Sequence, residues 1–523
     1  MDNLSLGWFI LLDFILPELG PVELLLIKFA IVVTLVLLLS CLLFYPIIKK
    51  LISEVKLHYH QVLDRIKSYG VMFFLPVIIL VTFTLVIKIY LAIYTPIHYD
   101  EAFTYLHFTS EEFLRSATFY PAPNNHVLHS LLTNISYYLP FSETFNLRLP
   151  VILISSITSF LLFYCFTRLT TGKIAFIITL IFSFLNPVIY YGYNSRGYYL
   201  VLLFFLISFY AIIQIIRNRE EPLEQKHYFV VFTCSSILGF YTMPSFLYPF
   251  LSLESFLFFT SLLTNSKKLL HYLFYSILLT GLGVALLYGP IIIVSGIESL
   301  TNSNSVVPVP RSEVLSDLSS HFASTYEYLF SLNFKFIYLF LIFLIIYLLF
   351  KKIRPLEVIL CFYIIIFCPL IIILHSLIPF PRTWIFIIIP VLYLLSLFLQ
   401  GIENFYKIER VVFSGAILIS FMHLHIFWDT IRTRETFSYE AEKLSAYLMN
   451  YDPKNIYIEH DLIDINLAYL FLTKGENVRI FENDPLLKRD YDFLIIGKKT
   501  ETFSNYKYVK EFGKDIHVYQ KVR

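Results

Sequence analysis

Apolar residues fill this chain in long runs, broken by short polar clusters. A bilayer-spanning helix needs about 20 predominantly apolar residues. Twelve stretches meet or approach that length, at 23–47, 71–94, 149–167, 174–192, 198–216, 228–242, 246–264, 269–292, 334–350, 356–378, 385–400 and 411–428. The sixth is short, and Pro244 in "TMPS" makes a tight hairpin to the seventh. The segment 127–141, "VLHSLLTNISYYLPF", is short and carries His129, Ser130, Asn134 and Ser136, so it reads as an amphipathic helix at the membrane interface. Composition agrees with this pattern. The chain is 57% hydrophobic and only 15% charged, against about 25% charged in soluble domains. The expected fold class is an all-α polytopic membrane protein with about 12 transmembrane helices.

The basic residues decide its orientation. With 127–141 kept out of the bilayer, one set of connections holds 17 Lys and Arg, including Lys49, Lys50, Arg168, Lys267, Lys351 and Lys407. The opposite set holds six: Arg115, Arg148, Arg196, Arg311, Lys335 and Arg382. The positive-inside rule places the first set in the cytoplasm, so both termini and "PIHYDEAFTY" (96–105) face outward. The N-terminus is acidic and lacks a basic n-region, so it does not read as a signal peptide. The five cysteines all lie in apolar runs without CxxC spacing, which suits small buried hydrophobes. A net charge of +2 gives no sign of a nucleic-acid partner.

The character changes at 429. The last 95 residues hold 15 Lys and Arg and 16 Asp and Glu, against 47 charged residues in the preceding 428. "EAEKLSAYLMNY" has helical periodicity, whereas "NIYIEH", "YDFLIIG" and "HVYQKV" read as strands. The expected division is an extra N-terminal span with a basic loop (1–70), a membrane domain (71–428) with an outer loop at 95–148, and a small soluble α/β domain (429–523).

Candidate chemistry gathers on the outer side. Asp100 and Glu101 stand at the mouth of a span, where ionisable residues mark functional sites unless they merely cap a helix. Neighbouring helical residues diverge by about 100°, so one carboxylate at most faces a given reacting atom. Arg148, Arg196 and Arg382 each sit near the outer end of a span. Singly each suits a snorkelling arginine; together, beside carboxylates, they suit a phosphate clamp. Lys88, inside the second span, either snorkels or joins that cluster. Asn125, His126 and His129 share the outer loop, and Tyr198 lies in an aromatic run beside Arg196 that suits sugar stacking. The two histidines with Asp100 or Glu101 offer ligands for Zn²⁺ or Mn²⁺, but spacing fixes no third ligand, and polar lining is the preferred reading.

In order along one side, "HYDEAF", "NNHVLHSLL…NLRLP", "LNPVIYYGYNSRGYYLVLLFFL" and "PFPRTWIFIIIPVLYLL" resemble the GT-C superfamily of membrane glycosyltransferases, over roughly 71–400. The likeness is to the protein O-mannosyltransferase and aminoarabinose lipid A transferase branch, with one extra span ahead of the family's first helix. The resemblance implies inverting transfer of a sugar from a polyprenyl-phosphate donor to a glycan, lipid or protein acceptor. It implies the extracytoplasmic face of a bacterial inner membrane, in the cell envelope, and no required cofactor. Asp100 matches the family's catalytic aspartate and Glu101 its partner; Arg148, Arg196, Arg382 and Lys88 would meet the donor phosphate; Asn125, His126 and Tyr198 would meet acceptor or sugar. The alternatives are a lipid-linked sugar flippase or transporter, which favours midplane charges and repeats, and a non-catalytic scaffold displaying the tail.

Overall fold

A computed structural model describes residues 70–522 apart from 122–124, 220, 302–307, 403–404, 460–462, 483–488, 498–502, 504 and 514. The first expected span, 23–47, and the basic loop after it lie outside the described residues. Long apolar runs become helices because a bilayer offers no water to satisfy exposed backbone groups. They are α1 (Val71–Tyr94), α5 (Glu143–Leu169), α6 (Gly172–Phe184), α8 (Tyr198–Arg217), α9 (Pro222–Thr242), α10 (Leu247–Leu263), α11 (Lys267–Ser295), α13 (Phe334–Phe350), α14 (Pro355–His375), α15 (Ile388–Gly401) and α16 (Phe405–Arg434). Between them lie the shorter α2 (Tyr99–Thr104), α3 (Phe113–Thr118), α4 (Val127–Tyr137), α7 (Asn186–Tyr191) and the amphipathic α12 (Arg311–Phe330).

Among the described residues, eight helices are long and apolar enough to cross a bilayer, or nine if α12 and α13, which meet at an 83° bend, form one broken span. The stretch 174–192 is instead two pieces. Leu185 takes an extended conformation and Pro187, which has no N–H to continue the first helix, opens the second. The stretch 228–242 lies in α9, whose first turns, "PLEQKH", are polar. The span α8 and the stretch Pro381–Gly401 are mostly enclosed by protein, whereas α11 and α16 turn most of their surface outward.

The segment 127–141 is helical over most of its length, as expected. Its helix α4 has 11 residues, too short to span a bilayer. Its polar face (His129, Ser130, Thr133, Asn134, Ser136) is buried, while Ile135 and Tyr138 are exposed. The polar side chains brace the outer loop from within: Asn134 Nδ2 donates to the Phe108, Thr109 and Glu111 carbonyls at 3.3, 3.2 and 2.7 Å, and Ser136 Oγ to Asn146 O at 2.7 Å.

The tail forms a five-stranded mixed sheet of order β2-β1-β3-β5-β4. Strands β1 (Asn455–Glu459), β3 (Phe493–Ile496) and β5 (Ile516–Lys521) coincide with the three strand-like stretches of the sequence. The short β2 (Arg479–Phe481) pairs parallel to β1, and β4 (Tyr506–Phe512) pairs antiparallel to β5. The expected boundary at 429 falls inside α16, which runs on to Arg434 before α17 (Thr436–Met449) begins. The sheet, α17 and α18 (Asp464–Thr473) share one apolar core with Ile97, Ala102, Tyr105 and Leu147 of the outer loop. Asn466 Nδ2 donates to Ile97 O at 3.2 Å, and Thr144 Oγ1 pairs with Tyr469 OH at 2.8 Å. The tail is therefore packed onto the back of α2.

Leu467 is fully buried in that shared core. Leu467→Ala should cost about 2–5 kcal/mol and speed amide hydrogen exchange in Ile97–Ala102 as well as in the tail. Unchanged exchange in 97–102 would show the two parts to be independent.

Candidate functional site

The helix α2 starts with a reciprocal cap. His98 Nδ1 accepts from Asp100 N at 3.1 Å, and Glu101 Oε2 accepts from His98 N, also at 3.1 Å. This is the capping-box arrangement with histidine as the N-cap, and it fixes the rotation of the two carboxylates. Glu101 turns into the protein and Asp100 turns out of it.

Glu101 and Arg148 are both fully buried. Arg148 Nε and Nη2 donate to Glu101 Oε1 and Oε2 at 2.9 and 2.6 Å. The remaining donors go to carbonyls at the end of α1: Nη1 to Ala92 O at 3.0 Å and Thr95 O at 2.9 Å, Nη2 to Pro96 O at 2.8 Å. Ser195 N adds a bond to Glu101 Oε1 at 2.6 Å. Burial alone raises the Glu101 pKa, but the Arg148 charge and these hydrogen bonds outweigh it and hold the carboxyl below its ordinary value. Arg148 has no N–H left for a ligand.

Asp100 is 19% exposed and faces two other guanidiniums, Arg382 Nη1 at 3.6 Å and Arg196 Nε at 3.9 Å from its Oδ2. Arg196 is held in place by Nη1, which donates to Asp100 O at 3.3 Å and Thr104 Oγ1 at 3.2 Å. Burial raises the Asp100 pKa, and the charges of Arg196, His98 and Arg382 more than offset it, leaving the carboxyl below its usual range. It is ionised at neutral pH, with the capacity to accept a proton.

Two cavities meet at this carboxylate. The larger, about 500 Å³, is lined mainly by aromatic and apolar side chains such as Phe103, Tyr120, Tyr198, Met243 and Tyr248, with His126 on its polar side. The smaller, about 230 Å³, includes His98, Tyr190, Tyr328 and Arg434. Asp100, Arg196, Phe380 and Arg382 line both. Every contributing segment comes from the same end of the bundle, opposite the ends that carry Arg168, Lys267, Lys351 and Lys407.

His126 has an assignable tautomer. Gly197 N donates to its Nδ1 at 2.8 Å, so in the neutral ring the proton is on Nε2. Burial first, then the Arg196 charge, press its pKa well below the ordinary imidazole value. Its Nε2 lies 3.3 Å from Arg196 Nη2, which can only donate. Two donors thus stand side by side on the cavity wall, suited to an acceptor oxygen between them. Glycine is needed at 197, because a Cβ there would lie 2.8 Å from His126 Cβ.

The other expected residues divide between the cavity wall and the interior. Tyr198 lines the large cavity, its ring 4.6 Å from Tyr191 and 5.2 Å from the His126 ring. Asn125 is buried outside it, with Nδ2 donating to Phe119 O at 2.9 Å and Oδ1 accepting from Ser130 Oγ at 2.8 Å. His129 Nε2 pairs with Ser195 Oγ at 2.9 Å. Lys88 is buried inside the bundle, its Nζ 5.6 Å from the Tyr199 ring, and lines neither cavity. Among the described residues no three His, Cys, Asp or Glu side chains gather to hold a metal ion.

Sequence reasoning missed His98 and Arg434. A polar residue just ahead of an acidic first turn was a signal for His98 as a cap. Arg434 lies at the end of a long helix, where a basic residue is unremarkable.

No family model matches the chain, and no curated protein matches it in sequence. Solved structures are similar to it: ArnT from Cupriavidus metallidurans in the apo state, and the same protein bound to undecaprenyl phosphate. Each has a TM-score of 0.56 at 10% identity, covering 85% of this chain and 98% of that one. The chain therefore shares the fold of these proteins, that of a polytopic membrane protein with a small C-terminal domain. At that identity the likeness is one of fold.

Glu101→Gln leaves a buried guanidinium unpaired and should cost about 3–5 kcal/mol, read as a lowered midpoint of thermal unfolding. Because the folded-state pKa of Glu101 is depressed, its contribution is fully present above about pH 4.3, the ordinary Glu value, and is lost only as pH falls through the lower folded value. The wild-type midpoint should therefore show no loss from this group between pH 8 and pH 5.

Proposed function

We propose that this chain is an inverting glycosyltransferase that moves a sugar from a polyprenyl-phosphate donor to an acceptor hydroxyl on the extracytoplasmic face of a membrane. One observation carries the reading: among the described residues, Asp100 is the single carboxylate on the walls of both cavities, flanked by Arg196 and Arg382 where the two meet. Inversion requires nucleophile and leaving group on opposite sides of the anomeric carbon, and two chambers joined at one base provide those sides. The undecaprenyl phosphate bound by ArnT, a protein of the same fold, supports the donor class. The segregation of basic residues to the far end of the bundle supports the face.

In this reading the donor lies in the larger chamber, its sugar against Tyr198 and Phe103 and its phosphate against His126 Nε2–H, Arg196 and Arg382. Asp100 takes the proton of the acceptor hydroxyl as the oxygen attacks the anomeric carbon. The bond from that carbon to the phosphate oxygen breaks, and the electron pair leaves with the polyprenyl phosphate. A phosphate monoester has a second pKa near about 6, so it leaves as an anion without a general acid. The guanidiniums stabilise the growing negative charge. Glu101 and Arg148 serve as positioning residues that hold α2 against α1 and α5. Lys88 and Asn125 have no direct contact with substrate.

Asp100→Asn in membranes supplied with a labelled polyprenyl-phosphate sugar should lower transfer by about 10²–10⁴-fold with little change in donor affinity; transfer near the wild-type rate would refute the base. Arg382→Ala should weaken donor use about tenfold or more. Unchanged donor dependence would remove that residue from the phosphate site.

A further inference from the structure

The smaller chamber holds more positive charge than the reaction above uses. Arg434, at the last position of α16, lines it and does not line the larger one. Its guanidinium lies 4.6 Å from the Tyr190 ring centroid and 5.7 Å from that of Tyr328. The adjacent carboxylate does not neutralise it. Glu435 is buried, accepting from Tyr190 OH at 2.8 Å and from Ser438 Oγ at 3.1 Å. Among the described residues Arg434 makes no ion pair. Among the described residues, three guanidiniums, from Arg196, Arg382 and Arg434, thus face a chamber with one carboxylate, Asp100. Excess positive charge in a confined, partly desolvated cavity favours an anionic guest, and guanidinium matches phosphate and carboxylate oxygens.

Building on the glycosyl-transfer reading, we infer that the smaller chamber binds an anionic group, a phosphate or a carboxylate, carried by the acceptor close to its attacking hydroxyl, with Arg434 as the principal contact. The donor phosphate has its own place on the other side of Asp100, where His126 lines only the larger chamber. About 230 Å³ suits one monosaccharide-sized unit rather than a lipid tail. The anionic group passes through the reaction unchanged: the new bond is from acceptor oxygen to anomeric carbon, and the proton goes to Asp100. The acceptor class is then an acidic or phosphorylated glycan or lipid headgroup, and a neutral Ser or Thr hydroxyl on a protein is a poor fit.

The test is calorimetric titration of inorganic phosphate into the full-length protein preloaded with undecaprenyl phosphate in nanodiscs. The expected result is one further phosphate bound per chain, weakened at least tenfold by Arg434→Gln and by Arg434→Met and less by Arg434→Lys, with undecaprenyl phosphate affinity unchanged. Absence of binding after preloading, or equal binding by wild type and both neutral variants, would overturn the inference. So would a matching loss of undecaprenyl phosphate affinity in Arg434→Gln, which would put the donor phosphate in this chamber. None of these readouts requires turnover, so failure of the transfer reading itself, seen as full activity of Asp100→Asn, is a separate result. If phosphate binds as expected, an acidic saccharide such as galacturonate should compete with it and neutral galactose should not; competition by neither would limit the site to an adventitious anion and overturn the acceptor assignment.

Discussion

The site depends on one buried ion pair. Removing a carboxylate and a guanidinium from water costs several kcal/mol each, and the attraction between them compensates only when geometry and hydrogen bonding are complete. Glu101 and Arg148 meet that condition: a two-point pair, three backbone carbonyls on the guanidinium, and two backbone N–H groups on the carboxylate. The partners come from the end of α1, the cap of α2, the first turns of α5 and the turn before α8. A single electrostatic knot therefore fixes four chain segments relative to one another, at the end of the bundle where backbone irregularity is greatest.

That knot determines what its neighbour does. With Glu101 held inward, the helical rotation of about 100° per residue carries Asp100 outward, into the space between Arg196 and Arg382. The two carboxylates thus have different environments although they are adjacent in sequence and both have lowered pKa values. One acts through geometry and the other is left accessible. The α17 and α18 helices press on the opposite face of α2 through Ile97, Ala102 and Tyr105, so the loop is clamped between the membrane bundle and the tail. That packing fixes the position of Asp100 relative to Arg196 and Arg382.

The bundle supplies the electrostatic setting. Arg196 and Arg382 converge on one carboxylate from α8's leading turn and from the turn that begins the Pro381–Gly401 stretch. Aromatic rings from Tyr191, Tyr198 and Phe380 pack around these charges. They border the hollow with rigid side chains.

What the sequence determined by itself was whatever depends on local composition and period. Apolar runs of sufficient length dictate helices in a bilayer, charge segregation dictates their alternation, and the adjacency of Asp100 and Glu101 dictates that they diverge. The three strands of the tail at 455–459, 493–496 and 516–521 were legible for the same reason, whereas β2 is only three residues long and β4, rich in lysine, is carried by its pairing with β5. Tertiary structure decided everything that turns on which distant groups share a desolvated space. Arg148 and Arg382 look alike in sequence, each a guanidinium near the outer end of a span, but one is spent on a buried carboxylate and carbonyls while the other borders a cavity. Asn125 and Lys88 lie outside both chambers, and Arg434 enters one from nearly 335 positions beyond Asp100 in a chain of 523 residues. Hydrogen-bond donors are satisfied by whatever the fold brings within about 3 Å, and no linear pattern records that choice.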